Sequence, residues 1–213
     1  MISLRHNFLF IHVPKTAGNS IQNVLRDYSE DRIVRLASHQ DGYERFEVRS
    51  DEFDIHKHST LQEYHSQLTT QRFNQLFKFT CVRNPWERAI SCYFSPHRGP
   101  VQWNRDQFIR FLPEISPLRK HLSLDGIGAD FSNIDFFIRF ENLNDDFREA
   151  CGLIGLPWTP LPVRNKSAKQ HYTSYYDDEL IGIVRNRYCD EITHFGYEYE
   201  SISQPLPDCV SPV

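Results

Sequence analysis

The sequence predicts a single α/β domain, a central and mostly parallel sheet flanked by helices, and three observations carry that expectation. The apolar run at residues 8–13 is too continuous for a half-exposed strand and suits one covered on both faces, and residues 76–82 read as a second apolar strand ending at Val82. Each run passes through a short turn into a helical stripe: Ile21, Val24, Leu25 and Tyr28 after the first, Trp86, Ala89, Ile90 and Tyr93 after the second. A chain of 213 residues with 39% hydrophobic and 14% aromatic content can bury one good core rather than two. The domain is expected over residues 1–200, with residues 201–213, which hold three prolines, as an extended or mobile tail.

The remaining elements follow in order. Residues 32–37 (RIVRLA) read as a second strand and residues 40–52 as a polar connection. Thr60 and Glu63 form a capping box that opens a helix carrying Leu61, Tyr64, His65 and Leu68 on its apolar face. The least regular stretch is 95–132, with Pro96, Pro100, Pro113 and Pro117 and one helix around 104–112 that presents Phe108, Phe111 and Leu112. A buried strand is expected over 136–140, with Arg139 and Glu141 at its end. Phe147, Ala150, Cys151 and Ile154 then mark a helix stopped by Gly155 and Pro157. Leu180, Ile183, Val184, Tyr188 and Ile192 make one last helix, ended before Gly196.

Two strand-to-helix turns carry the chemistry. The first, PKTAGNS at residues 14–20, turns from strand to helix through a basic loop with one glycine. Unpaired backbone N–H groups and the positive end of the helix dipole meet there, Gly18 permits close approach, and Lys15 adds a full charge, which is the composition of an anion site. It is not a Walker A loop, because the lysine precedes the glycine. An ordinary turn with a solvated lysine is the competing reading of this segment alone. In the second, Arg83 ends the strand before Asn84-Pro85, so on neighbouring parallel strands it would share an edge with Lys15. Ser91 follows Arg83 by eight residues, and its hydroxyl could share a phosphate with the guanidinium.

PKTAGNS and VRNPWERAISCY together resemble the paired signatures of sulfotransferases that use 3′-phosphoadenosine 5′-phosphosulfate (PAPS), which have a P-loop-NTPase-like fold. FIRFENLNDDF at 137–147, VRNKS at 163–167 and the segment from Tyr175 to Tyr199 extend the likeness over most of the chain. The resemblance implies that Lys15, Thr16, Ala17, Gly18, Asn19 and Ser20 bind the 5′-phosphosulfate, that Arg83 and Ser91 bind the 3′-phosphate, and that Lys166 closes over the nucleotide. HVPKTAGNS and VRNKS look more like the carbohydrate branch, including the uronosyl 2-O-sulfotransferases, than like the enzymes of small phenols and steroids. The implied acceptor is a carbohydrate hydroxyl.

Sulfuryl transfer, by analogy with phosphoryl transfer, asks the protein to hold two oxygens in line and to stabilise charge. Lys15, at the bridging oxygen, would stabilise the leaving nucleotide. A base must take the acceptor proton, and the cluster DIHKHSTLQEY at 54–64 offers His58 first and His56 second. On the residues alone His58 is better read as a surface histidine; the resemblance, in which a histidine between the two signatures is the base, turns that reading. His12, in the first strand, stays outside the catalytic set, and His56, His58 and His65 lack a further ligand at a zinc spacing, so no metal is expected. His97, Arg98, Trp103, Arg119, Lys120 and His121 would suit a sugar or acidic acceptor, or form a solvated surface. The competing functions are a P-loop-type kinase or NTPase and a non-catalytic nucleotide- or sugar-binding module.

A net charge of −4 argues against a nucleic-acid partner. No run of 18 apolar residues exists and the first long strand starts within ten residues of Met1, so neither a membrane anchor nor a signal peptide is expected, although Golgi members of the resembled family carry a transmembrane stem. Five cysteines without a CxxC spacing suggest thiols in a reducing, cytoplasmic setting. Acceptor identity, oligomeric state and whether the chain is the trimmed form of a lumenal enzyme are left open.

Overall fold

A computed structural model describes residues 1–36, 45–95, 101–162 and 170–200. It is a mixed α/β fold whose four-stranded sheet has the order β1-β2-β5-β6. β2 (Phe8–Ile11), β5 (Phe77–Val82) and β6 (Phe136–Arg139) run parallel, and the short β1 (Ile2–Ser3) adds antiparallel to β2. The register pairs Ile11 with Thr80 and Val82 with Arg139, so the chain leaves all three parallel strands along one carboxyl edge. In open α/β sheets that edge is where ligands gather.

β2 is buried along its whole length, as its unbroken apolar run requires. β6 departs from the expectation of a buried strand: Phe136 and Phe137 are half-buried and Arg139 is exposed, because β6 forms the edge of the sheet. Helices α1 (Gly18–Leu25) and α4 (Pro85–Tyr93) follow β2 and β5 and bury the stripes read from the sequence, Ile21 and Leu25 on one, Trp86, Ala89, Ile90 and Tyr93 on the other. α2 (Leu61–Gln67) opens on the expected capping box, in which the Thr60 hydroxyl accepts from Glu63 N–H and the Glu63 carboxylate accepts from Thr60 N–H. α3 (Thr70–Gln75) leads into β5.

Three expectations need correction. The strand expected at 32–37 exists as β3 (Arg32–Arg35), but it pairs only with β4 (Phe46–Arg49) in a separate antiparallel hairpin. β4 lies inside the segment read as a polar connection. Phe46 and Val48 are buried while Glu47 is half-buried and Arg49 exposed, so two apolar residues at period two sufficed for a one-sided strand that the flanking charges disguised. The single last helix is two, α8 (Asp178–Arg187) and α9 (Cys189–Phe195), which break at Tyr188. Tyr188 is buried, its hydroxyl near the Ile115 carbonyl, and it leaves helical geometry at ψ 28°. The stretch at 95–132 holds the expected helix, α5 (Arg105–Phe111), and also a short α6 (Arg119–Leu122) that packs against α2. α7 (Leu143–Leu153) covers β6 and buries Phe147, Ala150 and Cys151, as expected.

One buried charge pair ties these layers together. The Arg88 guanidinium, from α4, donates to both carboxylate oxygens of Glu191 on α9 at 3.2 and 3.3 Å and to the Ser116 carbonyl at 3.2 Å. Glu191 also accepts from Leu118 N–H at 2.6 Å, which fixes the start of α6.

Candidate active site

The first loop is held in strained backbone. Lys15 and Ala17 both adopt left-handed φ, 69° and 70°, which costs a non-glycine residue roughly 1–2 kcal/mol each. Such strain survives only where neighbours over-determine it. Ala17 is the residue before α1 and places no side chain on its first turn, so the helix presents its amino end without a side-chain cap. That is the arrangement in which a helix terminus receives an anion.

Gly18 is fixed by a different neighbour than expected. A Cβ on it would lie 1.9 Å from the ring of His12. His12 is buried, stacks near Phe10, and has its Nδ1 2.9 Å from Gln22 Oε1 on α1. The glycine therefore makes room for an imidazole that clamps the loop from below. We expect Gly18→Ala to destabilise the fold by about 1–3 kcal/mol through overpacking, read as a lowered thermal midpoint; an unchanged midpoint would mean that His12 moves freely.

The side chains of the loop divide their work. Thr16 is fully buried, and its hydroxyl donates to the Val13 carbonyl at 2.8 Å, which leaves its backbone N–H as what it offers a ligand. Ser20 donates to the Pro162 carbonyl at 2.8 Å, joining α1 to the segment that precedes VRNKS. Lys166, with Arg164 and Lys169, lies outside the described residues, as do His97 and Arg98. Lys15 is half-buried. Burial pulls its ammonium below the usual lysine pKa, and the Arg83 charge adds to the pull.

Arg83 does stand on the same edge as Lys15. Its Nη1 donates to the Lys15 carbonyl at 3.1 Å, its Nη2 pairs with the Glu87 carboxylate, and Phe140 lies 3.7 Å beneath the guanidinium. Arg83 Nε is buried and has no hydrogen-bond partner among the described residues. The turn itself is rigid: Asn84 Oδ1 accepts from Trp86 and Glu87 N–H, and Glu141, just after β6, accepts from Asn84 N–H at 2.6 Å. Ser91 is half-buried on α4, two turns further on.

The histidine loop is bonded to the first loop across 46 residues of sequence, with His58 Nδ1 3.1 Å from the His12 carbonyl. A carbonyl only accepts, so Nδ1 carries the proton and Nε2 keeps the lone pair. The two rings lie 4.4 Å apart. Gln22 Nε2 donates to the Lys57 carbonyl, Glu47 on β4 accepts from Lys57 N–H, and the Lys57 ammonium sits 3.7 Å over Phe46. The hairpin that the sequence concealed thus steadies the loop that carries His58. His56 is placed differently: it is exposed, its Nδ1 accepts from His58 N–H at 3.1 Å, and its Nε2 lies 3.7 Å from Glu63.

α6 adds His121 to this neighbourhood. Both its ring nitrogens are buried without partners among the described residues, and burial first, then the charges of Arg88, His58 and His56, push its pKa down to about 3. Burial likewise takes His58 to about 4 and His12 well below the ordinary histidine value. Unfolded, all three would titrate near 6.5. The native state therefore binds fewer protons than the unfolded state below that pH, and the stability present above it drains away as pH falls toward 4 and 3. We expect the thermal midpoint to drop steadily between pH 6.5 and 4, and a flat profile there would contradict neutral burial of these rings.

The other residues named from sequence scatter. Arg119 pairs with Asp190 at 2.8 Å, Lys120 is exposed, and Trp103 packs among Tyr93, Phe108 and Tyr175. Sequence reasoning passed over Gln22, Glu87 and Phe140, which hold His12 and Arg83. The signal available for Gln22 was a polar residue one step along the buried stripe of α1, and for Glu87 its i,i+4 spacing from Arg83. Among the described residues no group of His, Cys, Asp or Glu could hold a metal ion, and no helix is long and apolar enough to cross a membrane.

A parallel sheet whose carboxyl edge brings an uncapped helix terminus together with Lys15 and Arg83 is an arrangement that can receive an anionic group. The Sulfotransferase family matches residues 1–198 of the chain, and the chain belongs to it. It is a transferase of sulfuryl groups, with a sulfuryl donor and an acceptor substrate. No curated protein and no solved structure matches the chain.

Proposed function

We propose that the protein transfers the sulfuryl group of PAPS to a hydroxyl of a carbohydrate, with His58 as general base, in a single domain over residues 1–200. The observation that carries this reading is the bond from Arg83 to the Lys15 carbonyl, which brings the two basic turns together, while His58 is bonded to the carbonyl of His12, three residues before Lys15. The Nε of Arg83, unpartnered among the described residues, and the start of α1, without a side-chain cap, fit a ligand with anionic groups at both ends.

In this reading the backbone N–H groups of residues 16–19 and Lys15 take the 5′ end, with Ser20, whose own N–H donates to the Ala17 carbonyl at 2.9 Å, assigned there by family resemblance, and Arg83 and Ser91 take the 3′-phosphate. Lys166 is assigned to the nucleotide by family resemblance. When bound, the donor supplies the sulfuryl group and departs as adenosine 3′,5′-bisphosphate. Lys15 stabilises charge that grows on the bridging oxygen, an interaction stronger in the transition state than before it. His58 Nε2 takes the acceptor proton, since Nδ1 is already committed to the His12 carbonyl. His56 is the weaker choice, because its Nδ1 lone pair receives His58 N–H. The anionic donor raises the pKa of His58 from about 4 toward a useful basicity. We place the enzyme in the cytoplasm, where Cys81, Cys92, Cys151 and Cys189 remain thiols.

The test is transfer of labelled sulfate from PAPS to a panel of oligosaccharides, phenols and steroids. Label on oligosaccharides supports the proposal. Label only on phenols or steroids overturns the acceptor class, and none on any acceptor, with nucleotide bound, favours a binding module.

A further inference from the structure

Arg83 is placed to do more than meet a phosphate. It is 7% exposed, and most of its fork is committed inside the protein: Nη1 to the Lys15 carbonyl at 3.1 Å, Nη2 to Glu87, and one face to Phe140. The carbonyl it holds belongs to a residue with φ 69°, in the left-handed region that a lysine rarely adopts. In a planar trans peptide the C=O of Lys15 and the N–H of Thr16 point in opposite directions. Whatever fixes that carbonyl therefore aims the Thr16 N–H, on the side of the loop away from Arg83.

We propose that Arg83 is a positioning residue for the first loop: by holding the Lys15 carbonyl it sets the peptide plane between Lys15 and Thr16, and so couples the two ends of the nucleotide site. Glu87 and Phe140 serve this by holding the guanidinium still. The inference rests on the nucleotide reading above. Coupling of this kind is reciprocal, so a group bound at either end strengthens binding at the other.

The probe is adenosine 5′-phosphosulfate, which carries the 5′ group and no 3′-phosphate, compared with adenosine 3′,5′-bisphosphate by titration calorimetry. Arg83→Lys keeps a charge for a phosphate, but one ammonium cannot reproduce the planar fork that spans Lys15, Glu87 and Phe140. The expected result is a loss of at least about fivefold in affinity for adenosine 5′-phosphosulfate, with turnover at saturating PAPS also reduced. Unchanged affinity for adenosine 5′-phosphosulfate, with weaker binding of the bisphosphate alone, would make Arg83 a phosphate ligand only and overturn the proposal. Circular dichroism checks the fold. If Arg83→Lys does not fold, Glu87→Gln, which loosens the guanidinium without removing it, is expected to weaken adenosine 5′-phosphosulfate in the same sense, and no change there also overturns the proposal. Wild-type protein that binds neither nucleotide would instead refute the nucleotide reading itself.

Discussion

Replacing His58 with alanine is expected to slow sulfuryl transfer by about 10²- to 10⁴-fold while nucleotide binding persists. The imidazole is anchored at Nδ1 by the His12 carbonyl, so the variant loses a lone pair held at a set place rather than a flexible surface group. The same anchor explains why His56→Ala is expected to do less: that ring is exposed and already accepts from His58 N–H. Single-turnover transfer with bound PAPS separates the chemical step from binding. Because the base works unprotonated, kcat is expected to rise with pH through the pKa of His58 in the complex and to level above it. Full activity in the alanine variant, or a loss that follows His56 instead, would remove His58 from the role.

Loss of Glu191 is expected to be the most damaging change away from the site. Glu191→Ala leaves the Arg88 guanidinium, 1% exposed, without its counter-charge and frees the Leu118 N–H. Breaking one half of a buried pair costs about 3–5 kcal/mol, a large share of the roughly 5–15 kcal/mol that holds a domain folded. Urea unfolding should show the midpoint fall accordingly. Replacing both partners with apolar residues, Arg88→Met with Glu191→Leu, should recover much of the loss, since neither charge is then stranded. A single variant within about 1 kcal/mol of the parent would show that water reaches the pair. Because Glu191 also fixes the start of α6, where His121 stands, a partly folded variant should lose activity as well.

What the sequence made legible was local. The continuous apolar run announced β2, the apolar segment ending at Val82 announced β5, the helical stripes announced α1 and α4, and the Thr60–Glu63 box announced α2, because in each case neighbouring residues alone decide the geometry. The shared edge of Lys15 and Arg83 was legible too, since two strand ends in one parallel sheet imply it. β4 escaped because one-sided strands show only alternate apolar residues, and the break at Tyr188 escaped because the packing of Tyr188 against Ile115 interrupts a stripe that continues on either side. The contacts that hold the site escaped for a different reason. His12 against Gly18, His58 on His12, and Arg88 on Glu191 join residues 6, 46 and 103 positions apart, and no periodicity encodes such meetings. Gly18 shows the limit well: its presence was read as room for a ligand, whereas the atom it makes room for belongs to His12.

The central claim is that two basic turns on one sheet edge grip the two ends of a single 3′-phosphorylated adenine nucleotide, and titration calorimetry with adenosine 3′,5′-bisphosphate tests it most directly. Binding without magnesium, with no competition from ATP in its presence, is the predicted result. Magnesium-dependent binding of ATP in preference to the bisphosphate would contradict the account.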